Sequence, residues 1–246
     1  MASKNRQRMI QEMDIRGHDP KTKKAYIHSM VKFVEHFGNK DPESLGIQEI
    51  KDYQQYLLIE CGYAARSVNR HIAGIRFFYT NVLKMWWVKE EITRVKAPKF
   101  IPTILSEEEI ARMIDCTNSV FYKAVLMVLY SSGIRHNELR SLKTTDVDSN
   151  RMVLNIRGGK GGKDRQALLS PLAYRALRSY WLLFRMKNPV KSDFLFTPTK
   201  NSHSGELKKK LSHTAVGYVI KTAVRAGDIK KKLVLILFVT LSPSTY

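Results

Sequence analysis

Residues 120–130, VFYKAVLMVLY, carry a single charge, on Lys123. A helix that is apolar on nearly every side belongs inside a core, because no side of it can face water favourably. Other elements of the chain must therefore surround this segment. We predict a domain organised around one buried helix, which delivers the polar segment that begins at Ser131 to its end.

Further helices are predicted on both sides of this core helix. Ser106 and Glu109 form a capping box, which begins a helix that runs to about residue 115. Residues 171–184 and 207–226 show apolar residues at helical spacing.

A β-hairpin is predicted between these helices. Residues 152–157 and 165–169 alternate in polarity on either side of the glycine-rich tip GGKGG. The fold class that follows is mostly α with a small β-hairpin or sheet (α+β) in the second domain, which we place at residues 104–246. Residues 85–103, with their mixed charges and prolines, predict a linker.

The first 84 residues predict a separate module of four helices. The apolar positions repeat at helical spacing, and Gly17, Gly38 and the segments Asp41–Gly46 and Cys61–Gly62 separate the helices. The predicted helices span 5–16, 20–37, 47–59 and 65–83. Residues 1–84 therefore form the first predicted domain.

The charge of the chain indicates a polyanionic partner. There are 42 Lys and Arg residues against 22 Asp and Glu residues, a net charge of +20 spread over many segments. Nucleic acid is the first interpretation and an anionic membrane surface the second. Residues of two helices of the first module are candidates for contact with phosphates, although each could equally belong to a solvated or structural face: Lys21, Thr22, Lys24, Tyr26, Arg66, Arg70 and Arg76.

Other sequence features favour a bacterial, cytoplasmic, nucleoid-associated protein. The N-terminus lacks the apolar core of a signal peptide, and no apolar run approaches the ~18 residues of a membrane span. Cys61 and Cys116 lie far apart and fit no metal-ligand pattern, so we expect reduced thiols and no metal site.

The segment SSGIRHNELRSLKTTDVD, followed by a strand and IRGGKGGKDRQALLS, closely resembles the tyrosine recombinases, which include the phage integrases and the Xer-type recombinases of mobile elements and chromosomes. The N-terminal module is similar to the SAM-like core-binding domain of this family. The resemblance extends from residue 5 to about residue 232. It implies site-specific recombination or integration of double-stranded DNA through a 3′-phosphotyrosine intermediate, without metal or cofactor, by proteins that form homo-oligomers on DNA.

The resemblance also implies roles for particular residues. Arg135 matches the first catalytic arginine, whose forked donors suit the charge of a pentavalent phosphorus. Lys160 matches the general-acid lysine, which protonates the leaving 5′-oxygen. Glu138 matches a position that supports the site. The alternatives are an arginine that caps a helix and a lysine on an exposed hairpin.

The remaining catalytic residues of the family are not found after Lys160. The chain has no H-x-x-R motif there, and Tyr246 lies too close to the expected position of that motif to be its nucleophile. Residues 233–246 contain neither charge nor glycine. One choice of codons for these residues, read in a shifted frame, encodes a sequence with H-x-x-R-H. The hypothesis is a frameshift near Lys230–Lys232, which leaves an incomplete catalytic domain with an aberrant tail and no nucleophile.

Two further interpretations remain open. The chain could act as a non-catalytic DNA-binding fragment that occupies a recombination site. A transcription regulator would need a helix-turn-helix element, of which the sequence offers no convincing example, and the glycine-rich hairpin would then be unexplained.

Overall fold

The computed structural model describes residues 3–86, 88–98, 104–159, 162–186, 192–198 and 210–231. The chain divides into two compact units, residues 1–100 and 101–246. Predictions that concern Lys160, the start of the 207–226 helix and the tail 233–246 lie outside the described residues. None of the helices in the described ranges is both long and apolar enough to span a bilayer.

All regular elements that the structure describes in the first unit are helices or helical turns. Asp19 caps the second helix, α2 (Pro20–His36), by accepting hydrogen bonds from the backbone of Lys21 and Thr22, and Pro20 occupies the first turn. The fourth helix, α4 (Ala65–Phe77), ends in a π-helical turn, Phe78–Val82. The elements are α1 (Ser3–Ile15), α2 (Pro20–His36), a 3-10 turn (Pro42–Ser44), α3 (Ile47–Ile59), α4 (Ala65–Phe77) and α5 (Val88–Glu91).

The core of this unit follows the predicted apolar faces. Met9, Met13, Met30, Phe33 and Ile75 are fully buried. The short helix α5 also belongs to this unit, because Val88 and Ile92 are buried in the same core. The domain boundary that the sequence predicts at residue 84 stays a prediction, and part of the predicted linker packs on the first unit.

Helices α2 and α4 approach each other closely at Gly74. A Cβ atom at this position would lie 2.9 Å from Cα of Tyr26 and 3.0 Å from Cβ of Ser29. Because the first of these neighbours is backbone, it cannot move aside independently of α2. Glycine at position 74 therefore sets how closely the two helices pack.

We expect Gly74→Ala to destabilise the first unit by about 1–3 kcal/mol, because the added methyl group overpacks this contact. Urea unfolding of the full chain, with hydrogen exchange of the α2 and α4 peptides, measures the effect. The matched Ser67→Ala change, at an exposed position of α4, should stay within about 0.5 kcal/mol. Equal stability of both variants would contradict the close contact.

The second unit surrounds the helix α7 (Val120–Ser132), as the sequence predicts. The α7 residues Phe121, Ala124, Val125 and Leu129 are buried, and two later helices and one strand lie against it: α9 (Pro171–Tyr180), α10 (His213–Ala226) and β3 (Arg165–Leu168). The predicted capping box of Ser106 and Glu109 is present. The helices are α6 (Glu107–Asp115), α7 (Val120–Ser132), α8 (His136–Ser141), α9 (Pro171–Tyr180), which continues as a π-helical turn (Trp181–Arg185), and α10 (His213–Ala226).

A small antiparallel sheet lies beside these helices. Its strands are β1 (Val147–Asp148), β2 (Val153–Ile156) and β3 (Arg165–Leu168), in the order β1-β2-β3. In β2 the alternation predicted from the sequence puts Leu154 and Ile156 into the core. The mostly α fold with a small sheet is confirmed. The strand β1 was not predicted, because two residues are too short to show alternation.

Candidate functional site

The end of α7 presents Arg135 to solvent. Gly133 adopts a left-handed conformation (φ 57°) and its backbone N–H donates to the carbonyl of Leu129, which terminates the helix. Ile134 is buried and anchors the turn. Arg135 then takes the N-cap position of α8, with half of its side chain (51%) exposed.

Glu138 is the centre of the site. Its side chain is only 7% exposed and accepts three hydrogen bonds. Oε2 accepts from the backbone N–H of Arg135 at 2.7 Å and from Nη2 of Arg165 at 2.6 Å, while Oε1 accepts from Nη1 of Arg135 at 2.9 Å. One carboxylate therefore fixes two guanidinium groups, and the cluster keeps one positive charge in excess.

Arg165 is not among the residues predicted from the sequence. It pairs with Ile156 across the sheet, so both side chains lie on the same face, and Ile156 is buried. An arginine on a core-facing position of a strand requires a carboxylate partner. The sequence feature that could have identified Arg165 is its position on the same face of β3 as the buried Ala167.

The glycine-rich loop between β2 and β3 begins beside this cluster. A Cβ atom on Gly159 would lie 2.8 Å from the carbonyl of Lys163 and 3.5 Å from Oε1 of Glu138, so glycine allows the close approach. The N–H of Gly158 donates to Asp164 at 2.8 Å, and the N–H of Gly162 donates to the carbonyl of Gly159 at 2.8 Å. Lys160 lies outside the described residues, and its role stays a prediction.

A second buried carboxylate holds another exposed arginine on the same strand pair. Oδ1 of Asp146 accepts from Nε of Arg157 at 3.0 Å, and Oδ2 accepts from the N–H of Lys143 at 2.8 Å. The side chain of Asp146 is 5% exposed, whereas that of Arg157 is 70% exposed. Arg157 is thus a further basic group next to the loop that the sequence did not single out.

Two histidines meet close to Arg135 in sequence: His136 follows it directly, and His213 lies against His136. The rings of His136 and His213 are 4.3 Å apart, and Nε2 of His136 lies 3.1 Å from the carbonyl of His213. Burial, followed by the charge of His213, lowers the pKa of His136. The start of α10 is therefore held against α8 by a neutral imidazole at physiological pH.

The residues proposed for DNA contact in the first unit differ in their surroundings. The hydroxyl of Thr22 donates to Asp19 at 2.6 Å as part of the helix cap. Tyr26 packs against Phe77, with ring centroids 5.6 Å apart. Arg76 is half-buried, and burial followed by the charge of Arg94 lowers its pKa. The exposed cations of the predicted set are Lys21, Lys24, Arg66 and Arg70.

These exposed cations form two short rows, one on each of two helices. Lys21 and Lys24 are three residues apart on α2, and Arg66 and Arg70 are four residues apart on α4, so each pair shares one side of its helix. Because α2 and α4 pack directly on each other, the two rows belong to one helix pair. We call these four residues the basic face of the first unit.

Two family descriptions match consecutive parts of the chain. Residues 6–88 match the phage integrase, N-terminal SAM-like domain, and residues 103–234 match the phage integrase family. Crystal structures with the same fold include a lambda integrase (75–356) dimer bound to a COC′ core site, with a TM-score of 0.62 and 15% identity over 93% of this chain and 81% of that chain. XerH bound to a palindromic difH substrate in a post-cleavage complex gives a TM-score of 0.62 and 16% identity over 87% of this chain and 65% of that one.

Curated relatives extend the comparison to sequence. The Sinorhizobium fredii (strain NBRC 101917 / NGR234) protein y4qK, whose name provisionally places it among integrases and recombinases, is 38% identical over 92% of this chain and 69% of the relative. A second protein of that strain, y4eF, named in the same way, is 39% identical over 57% of each chain. Tyrosine recombinase XerA of Pyrococcus furiosus is 27% identical over 89% of this chain and 72% of its own length.

Proposed function

The chain belongs to the phage integrase family of tyrosine recombinases, and we propose that it is built to act on double-stranded DNA in site-specific recombination. The observation that carries this proposal is the cluster of Arg135, Glu138 and Arg165 beside the glycine-rich loop. A phosphodiester presented to this cluster would meet an oriented guanidinium group and a loop whose glycines admit a DNA backbone.

The proposed chemistry assigns one task to each group. Arg135 donates to the non-bridging oxygens of the phosphate, on which negative charge grows in the transition state. Lys160 gives a proton to the 5′-oxygen as it leaves. Glu138 orients Arg135 and does not touch the phosphate. The attacking phenol of the family, together with its H-x-x-R motif, has no match after Lys160 in the 246 residues.

A second candidate function uses the basic groups of both units without the covalent step. The 246-residue polypeptide would bind DNA through the basic face of the first unit and the arginine cluster of the second, without forming a covalent bond to it. In this role it would occupy a recombination site, alone or as a homo-oligomer.

The proposed frameshift is a separate question, which the sequence of the gene beyond the codon of Lys232 answers. The frameshift hypothesis is wrong if no alternative frame there encodes H-x-x-R.

We expect the polypeptide to shift duplex DNA in a gel and to form no covalent adduct with a nicked suicide substrate. The substrate is made from DNA that the polypeptide itself selects from a random pool. The positive control is a fusion in which the residues after Lys231 are replaced by the corresponding segment of the S. fredii relative y4qK. A covalent band from the unfused polypeptide would contradict the non-catalytic function, whereas the absence of any gel shift would contradict DNA binding itself.

The same assay tests the basic face. Each lost phosphate contact should flatten the slope of log K against log salt by about 0.9. The double change Lys21→Ala and Lys24→Ala should therefore reduce the slope by about 2. The control pair Lys40→Ala and Lys51→Ala removes the same charge from the same unit, outside this face, and should reduce the slope far less.

A further inference from the structure

Helices α2 and α4 of the first unit flank a polar cavity. The turn that joins α3 to α4 completes its lining. We infer that this cavity is a phosphate-binding site, and that it takes up a proton when it is filled. The inference rests on the proposed DNA binding, because it assigns a backbone phosphate of DNA to the cavity. It adds one specific place and one pH dependence that the basic face alone does not require.

The cavity has the size and lining for a phosphate with its waters. Its volume is about 460 Å³. His28 and Ser29 of α2 lie on one side, Tyr63 of the α3–α4 turn closes one end, and Arg70 and His71 of α4 lie on the other side. The ring of His71 is 6.3 Å from that of His28 and 5.9 Å from that of Tyr63.

The described lining residues that carry or can gain a charge near neutral pH are all basic. No carboxylate is among the described residues that line it, whereas Arg70 and two histidines are. Lys24 lies one turn before His28 on the same side of α2, and Arg66 lies one turn before Arg70 on α4. The two rows of the basic face therefore lead to the cavity from both helices, as a path for a polyanion requires.

One polar atom of the lining lacks a partner. Nδ1 of His71 is buried and has no hydrogen-bond partner within the described part of the chain. A buried polar atom is normally paired, so the ring of His71 keeps a hydrogen-bonding capacity that the described side chains do not use. Ser29 does not supply that partner through its hydroxyl, which donates to the carbonyl of Ala25 at 2.9 Å.

The protonation of His71 responds to these surroundings. Burial first, and then the charges of His28 and Arg70, lower its pKa, so the ring is neutral at pH 7. Tyr63 faces it from the α3–α4 turn, and the carboxylate that interacts with His28, Glu35, is itself paired with Lys32 at 2.9 Å. An anion in the cavity would offset the repulsion and raise the pKa of His71, so binding and proton uptake are linked.

The test measures DNA affinity of the full chain at two pH values and constant ionic strength. With a labelled 30-base-pair duplex, fluorescence anisotropy should show binding about three- to tenfold tighter at pH 6.0 than at pH 7.5. The double variant His28→Gln and His71→Gln should lose most of this pH dependence. The control variant His36→Gln, at an exposed position of the same helix α2, should keep it. An unchanged pH dependence in the double variant would overturn the inference.

A second measurement separates this inference from the proposed function. Titration of the full chain with inorganic phosphate, followed by the NMR signals of the histidine rings, should raise the pKa of His71 and leave the ring signals of His36 in place. If the chain binds no DNA at any pH, the proposed function fails, and the phosphate titration still tests the cavity. A shift of His71 with phosphate, together with pH-independent DNA binding, would show a site for free phosphate and overturn the assignment to DNA. Circular dichroism confirms that each variant is folded.

Discussion

Glu138→Ala should lower the free energy of unfolding of the second unit by about 3–4 kcal/mol. The substitution removes the acceptor of three hydrogen bonds, and each bond to a buried charged group contributes about 1.5–3 kcal/mol. Because Arg135 and Arg165 are partly exposed (51% and 36%), water compensates part of this loss, which brings the total below the simple sum of about 4.5 kcal/mol for three such bonds. Urea unfolding, monitored together with hydrogen exchange of the α8 and β3 peptides, measures the change.

The Glu138→Gln variant is the matched control, because it keeps the shape of the side chain and removes its charge. An amide keeps one acceptor oxygen but carries no charge for the two guanidinium groups, so we expect about half of the loss. A double-mutant cycle of Glu138→Ala with Arg165→Ala should give a coupling of about 1–2 kcal/mol. Additive effects in this cycle, or a change below about 0.5 kcal/mol for Glu138→Ala alone, would show that the cluster does not hold the hairpin to α8.

The second large effect is expected at high pH, in the first unit. Tyr79 is fully buried and its hydroxyl donates to the carbonyl of Pro42 at 2.7 Å, and Tyr53 is 3% exposed. Burial raises the pKa of Tyr53 to about 12 and that of Tyr79 further. The stability that these phenols contribute is therefore fully present below their unfolded-state pKa of ~10 and is lost as the pH rises towards their folded-state values.

The loss should reach several kcal/mol by pH 12, since each buried phenol contributes about 1.4 kcal/mol per pH unit above 10. We expect the helical circular dichroism of α1–α4 to disappear over this range. Tyr79→Phe should be less stable than wild type at pH 7 by about 1 kcal/mol, because it loses the bond to Pro42. The same variant should be more stable at pH 12. The control Tyr63→Phe, at a position 44% exposed, should follow the wild-type curve, and a Tyr79→Phe curve that never crosses it would contradict the explanation.

The helices could be predicted because their signals are local. The Asp19–Pro20 start of α2, the capping box of Ser106 and the apolar run of α7 each depend on residues within a few positions of one another. The pairing of Arg135 with Glu138 is also a local feature, since the two residues are three positions apart.

The features that escaped prediction depend on distant partners. Arg165 meets Glu138 across 27 residues, and this contact requires the register of β2 and β3, which the sequence does not fix. The close approach at Gly74 and the cavity at His28 and His71 depend likewise on how α2 lies against α4. A glycine within a predicted helix shows that space is needed, but not which neighbour needs it.

The way Glu138 holds Arg135 also has an entropic consequence. A free arginine side chain loses about 2 kcal/mol of rotamer freedom when it is fixed on a ligand. In this fold much of that freedom is already lost before any ligand arrives, since Glu138 binds both the backbone and the guanidinium group of Arg135. The contacts that achieve this lie between residues 135 and 165, within one helix start and one hairpin. A phosphate would therefore meet an arginine that is ordered in advance, and the ordering is a property of this short segment.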